Sequence, residues 1–183
     1  MPSEPRDRAR RALASAVRTG RIPLDAQEPA AQEVLERLSL AERHLAEAAH
    51  LVATHHPILA SPYDRAYDAC VVAATALVTA CGFTARGDAG HERALVGAQL
   101  VLRELGHPSE SRLLDELKSR VRPVRHASVY TALDAVTRSA LRRLLDIAGV
   151  LVPLLAHEAA ALAGVEDREP TDWGSLFPTR VDP

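Results

Sequence analysis

Apolar residues recur three and four positions apart along most of this chain, which is the spacing of one buried helical face. From Pro29 to about His55 the set is Val34, Leu35, Leu38, Leu45, Ala48, Ala49 and Val52. Ser39-Leu-Ala-Glu42 inside it has the form of a capping box, so two helices meeting at Leu38 and Ser39 are expected there, with Pro57 ending the stretch. Ser61-Pro62 opens the next helix, which continues from Tyr63 to Ala80 and stops at Gly82. Its run from Ala69 to Val78 is apolar almost all round, which makes it the central helix. A third helix lies between Gly87 and Gly106, burying Leu95, Val96, Ala98, Leu100, Val101 and Leu105 and closing on a glycine suited to a left-handed cap. A shorter one starts at Ser109 with Leu113, Leu114 and Leu117 inward. The last reads from Val129 to Leu162 through Leu133, Val136, Leu141, Leu144, Ile147, Leu151 and Leu155, with a kink expected at Pro153.

The pattern predicts an all-α chain, with no strand periodicity and no internal repeat. Residues 1–28 form an N-terminal arm, a short helix to about Thr19 ended by Gly20-Arg-Ile-Pro23. Residues 29–163 form the helical body, and 164–183 an acidic, turn-forming, irregular tail in which Trp173 and Phe177 pin part of the chain to the body. A hydrophobic content of 47% with only 3% aromatic fits a core of Ala, Leu and Val packed between helices. Cys70 and Cys81 fall on one helix, about 16 Å apart at 1.5 Å per residue, too far to bridge. With no leader-like N-terminus and no apolar run of membrane-spanning length, a reducing cytoplasm and no membrane contact are expected.

Charge changes the picture locally. The net charge is -2, which disfavours a generic basic binder of duplex DNA. Yet from Lys118 to Arg143 seven basic residues face Asp134 alone, a local charge of +6 that leaves -8 for the rest. Within it, Arg120-Val-Arg122-Pro-Val-Arg125-His126-Ala-Ser-Val-Tyr130 sets three arginines, a histidine and a tyrosine around a proline expected to break or sharply kink the helix. Arginine forks match phosphate oxygens, and an imidazole moves protons near neutral pH. On a helix beginning at Pro123, His126 falls in the first turn, where the macrodipole and the arginines favour the neutral ring that a general base needs. Lys118, Arg122, Arg125, Arg138 and Arg142 are the candidate phosphate-binding residues, with solvated helix faces and pairing to Asp115 and Glu116 as the competing reading. Arg6, Arg8, Arg10 and Arg11 of the arm offer a second contact with RNA or a partner, with a loosely attached surface helix as the competing reading.

The remaining histidines show no metal-ligand spacing, and no metal or cofactor is expected. His55, His56 and His107 are explained by helix C-termini. There is no Walker loop, dinucleotide fingerprint or nucleophile elbow.

A helix ending near His55, a second of the form Tyr-Asp-Arg-Ala-Tyr-Asp-Ala-Cys, a third introduced by Gly90-His91-Glu92, and then Arg120 followed after five residues by His126 resemble the HEPN domain over about residues 39 to 156. The resemblance implies an up-and-down bundle of four to five helices that homodimerises so that two Arg/His motifs share a cleft. It further implies a metal-independent endoribonuclease in which Arg120 and His126 are catalytic and Tyr130 matches a tyrosine of some branches, with a defence, stress or toxin role and an antitoxin or nucleotidyltransferase partner. Active members usually carry a polar residue after the arginine, where this chain has Val121. Non-catalytic members, which bind RNA or a nucleotide or act as interaction modules, are therefore the alternative.

Overall fold

A computed structural model of the chain describes residues 3–28, 30–86, 89–130 and 135–165. It is all-α apart from one two-residue ladder. The helices are α1 (Ser3–Arg18), α2 (Ala31–Ala53), α3 (Ala60–Ala80), α4 (Gly90–Leu105), α5 (Pro108–Glu116), α6 (Arg122–Tyr130) and α7 (Arg138–Ala163), with a π-turn over Leu117–Val121 joining α5 to α6. β1 (Asp25–Ala26) pairs antiparallel with β2 (Phe83–Thr84), Asp25 opposite Thr84 and Ala26 opposite Phe83. Sequence periodicity missed this ladder because two residues per strand are too few to show alternation.

α3 is the central helix, packed against α2 and α7 along its length and against α4. Ala66, Ala69, Ala73, Ala74 and Ala76 are wholly buried on it, and their small side chains let its neighbours approach on every side. Tyr63 and Tyr67 are as buried at its N-terminal end. α2 runs unbroken through Ser39, so the two helices expected there are one. Leu38, Ala41 and Leu45 continue a single buried stripe across the junction, and that burial outweighs a local capping signal.

The N-terminal arm is built into the same core. Ala9, Leu13 and Ala16 of α1 and Ile22 and Leu24 beyond it are buried, and α1 lies along α4. Gly97 of α4 lets α3 and the segment after α1 close in, since a Cβ there would stand 2.9 Å from a Val78 methyl and 3.2 Å from a Leu24 methyl. Arg10 donates to the Leu162 carbonyl at the end of α7 and, at 3.5 Å, to the Ala80 carbonyl at the end of α3. Arg8 reaches the Glu104 carbonyl at 2.8 Å and its carboxylate at 3.4 Å. These two arginines cap and pair within the molecule.

Two further expectations change. Of the helix expected over Val129–Leu162, Val129 and Tyr130 close α6, residues 131–134 with Leu133 lie outside the described residues, and α7 is opened by Thr137, whose hydroxyl accepts from the Ala140 amide. α7 continues through Pro153 to Gly164, which takes the left-handed conformation (φ 72°), as Gly106 does after α4 (φ 94°). α7 is also long and apolar enough to cross a bilayer by length and composition. More than half of its apolar stretch is buried inside the protein, as suits a core helix packed on α3. The C-terminal tail from 166 onward, with Trp173 and Phe177, lies outside the described residues.

Candidate functional site

The arginine cluster lies on one continuous helical run from Pro108 to Tyr130. Pro123 lacks an amide hydrogen, and its ring would collide with the carbonyl of Ser119 in a regular helix. The chain meets this by widening the turn just before it: the Arg122 amide donates five residues back to the Leu117 carbonyl. The break expected at Pro123 is thus a π-turn. One consequence is that the free positive end of this helical run lies at Pro108, so the helix terminus expected beside His126 is not there.

Leu114, Leu117 and Val121 are the buried anchors of the run. Tyr63 fixes the π-turn from α3, its buried hydroxyl donating to the Val121 carbonyl at 3.3 Å. Burial, and then the nearby Asp64 charge, push the Tyr63 phenol up to about 12. The opposite face, carrying Ser119, Arg120, Arg122, Pro123 and His126, is exposed. Within α6, Arg122, His126 and Tyr130 occupy positions four apart on one face. The Tyr130 side chain lies outside what the structure describes.

Most of the cluster's cations meet carboxylates. Lys118 Nζ donates to Gln99 Oε1 at 2.9 Å and lies 3.0 Å from Asp115 Oδ1. Arg122 Nη1 lies 2.5 Å from Glu92 Oε2. Arg125 is held by two acids of α3, with Nη2 3.0 Å from Asp68 Oδ1 and Nε 3.6 Å from Asp64 Oδ1. Its guanidinium carbon is 5.0 Å from the centre of the Tyr67 ring, within cation–π range. Arg143 forks Glu116 at 2.7 and 2.9 Å, which holds that carboxyl below its usual range, with the Arg120 charge adding a smaller pull. Asp115 and Glu116 are thus paired, but through Lys118 and Arg143, whereas Arg122 and Arg125, weighed from sequence as their partners, meet Glu92, Asp68 and Asp64.

Sequence reasoning missed Asp64, Asp68 and Glu92. The repeat Tyr63-Asp64 and Tyr67-Asp68, four residues apart, was a usable signal, because it sets two acids on one edge of a helix beside two large rings. It also passed over His91. Partial desolvation lowers the His91 pKa, and the charges of Arg125 and Arg122 lower it further against the opposing pull of Asp68. A histidine held toward its neutral form beside arginines, the property sought at His126, is thus found at the start of α4.

Arg138 and Arg142 stand apart from this group. They are exposed on the first turns of α7 and line a cavity against the C-terminal end of α2 and the first turn of α3. Among the described residues, no group of three or more His, Cys, Asp or Glu side chains is placed to hold a metal ion. Comparison with protein-family models, with curated proteins and with solved structures gives no match.

Proposed function

We propose that the protein is a HEPN-like helical bundle that acts on RNA through the exposed face of the π-turn and α6, as a metal-independent endoribonuclease in the cytoplasm. The observation that carries this reading is that Arg120 and His126 both face solvent on a helix whose other cations are largely committed to internal acids. His126 takes the proton of a ribose 2′-hydroxyl as its oxygen attacks the adjacent phosphorus. The bond to the 5′-oxygen breaks, leaving a 2′,3′-cyclic phosphate and, after proton transfer, a 5′-hydroxyl. Arg120 bears the charge that develops on the phosphoryl oxygens. A second copy of the chain supplies the other wall of the cleft, and an antitoxin of nucleotidyltransferase type is the partner such a system carries.

A second reading has its own observation. Lys118, Arg122, Arg125 and Arg143 are paired with carboxylates, so most of the seven cations already meet an acid inside the protein. A non-catalytic module that holds RNA or a nucleotide, or that assembles with protein, fits that arrangement. Affinity for a structured RNA, measured over a range of salt, separates the two. The enzyme reading requires His126→Ala to leave affinity within about twofold while turnover disappears, and Arg120→Ala to weaken both. Lost affinity in Arg120→Ala with no turnover in any form favours the binding module.

A further inference from the structure

The α2–α3 connection and the first turns of α7 enclose a cavity of about 510 Å³, within the range of small-molecule sites. Its apolar part is built from Val52, Leu59, Leu141 and Leu145. Among the described residues, the ionisable side chains that line it are His55, His56, Arg138 and Arg142, with no carboxylate. α7 reinforces the sign. Arg138 is its first residue and Arg142 stands one turn on, so the positive end of a 26-residue helix opens on the same side.

The backbone at His55 gives an independent sign. α2 ends in a two-bond cap: the His56 amide donates to the Leu51 carbonyl and the His55 amide to the Val52 carbonyl, each at 3.0 Å. In that motif the position of His55 takes the left-handed conformation, and glycine is the usual occupant. Here a histidine holds it at φ 50°, as the one non-glycine residue with positive φ among those described. A histidine on the wall of the pocket thus stands where the motif favours glycine.

We propose that this cavity binds a small amphipathic anion, with an apolar body against the leucines and an acidic head, carboxylate or phosphate monoester, held by Arg138 and Arg142. The inference does not depend on RNA cleavage, since it concerns a different cavity and its test reads ligand binding.

The test titrates the full chain with four probes below their micelle-forming concentrations: decanoate, decyl phosphate, decanol and inorganic phosphate. Saturable binding of decanoate or decyl phosphate is expected, and whichever binds more tightly identifies the head group. Decanol and inorganic phosphate, each lacking half of the ligand, are expected to bind at least roughly tenfold more weakly. The exposed pair Arg138→Ala/Arg142→Ala, checked for an unchanged helical spectrum, is expected to lose roughly tenfold or more in affinity. His55→Gly is expected to raise the unfolding midpoint while weakening the anionic probe. Absence of saturable binding by both anionic probes, decanol binding as tightly as decanoate, or affinity unmoved in the double arginine variant overturns the proposal.

Discussion

Arg125 and Asp68 join α6 to α3 through a 3.0 Å charge-assisted hydrogen bond, laid over the ring of Tyr67 and seconded by Asp64. Both side chains are about three-quarters withdrawn from solvent, at 29% and 25% exposure. Removing the guanidinium leaves two acids facing each other against an aromatic wall. Arg125→Ala is expected to destabilise the fold by about 1–3 kcal/mol, with part of that loss recovered when Asp68→Ala is added, as a double-mutant denaturation cycle reads. The deficit depends on pH. Burial raises the Asp64 pKa and Arg125 opposes that rise, so without Arg125 the folded-state value climbs further above the unfolded one. A raised carboxyl pKa costs stability as pH rises through it, so the variant's deficit is larger at neutral pH than near pH 4.

Tyr63 and the Val121 carbonyl form the other tie to this run. Tyr63→Phe keeps the ring volume and removes the donor, leaving a buried carbonyl at the π-turn one partner short. A loss of about 0.5–1.5 kcal/mol in urea unfolding is expected, with faster amide exchange at Leu117 to Arg122.

His91 gives the fold an acid-side sensitivity. Its pKa is depressed by desolvation and by Arg125, so the folded state disfavours the imidazolium. The stability linked to this group is fully present above the ordinary imidazole value near 6.5 and is lost as pH falls toward the lowered folded value. The unfolding midpoint of the wild type is expected to drop between pH 7.5 and pH 5.5 more steeply than that of His91→Gln. Equal slopes contradict the assignment.

Cys70 and Cys81 are buried free thiols, both pushed up to about 12 by desolvation. Neither is a nucleophile in the native state. A thiol-reactive chromogen at pH 8 is expected to modify neither within the time in which denaturant exposes both, and rapid native labelling would contradict the burial.

The helices were legible in the sequence because their apolar residues keep one period over several turns: α3, α4 and the Gly106 cap stand where the pattern puts them. Legibility failed where tertiary contacts decide. Ser39 looked like a cap, but Leu38 and Ala41 are buried against other helices, so α2 continues. Pro123 looked like a break, but one widened turn absorbs the ring and the missing donor. The site shows the same division. The run of basic residues was evident, and so was Asp115 beside it. Its principal counter-charges, Asp64, Asp68 and Glu92, come from helices distant in sequence, and only the fold brings them to Arg125 and Arg122. A local charge of +6 along the chain therefore overstated the field in space.

The central claim is that Arg120 and His126 cut RNA without a metal. The direct test is incubation of an end-labelled structured RNA in EDTA with wild type, Arg120→Ala and His126→Ala, followed by analysis of the product ends. The account predicts EDTA-resistant cutting by wild type that leaves 2′,3′-cyclic phosphate and 5′-hydroxyl ends and is lost in both variants. No cutting by wild type, or equal cutting by wild type and His126→Ala, contradicts it.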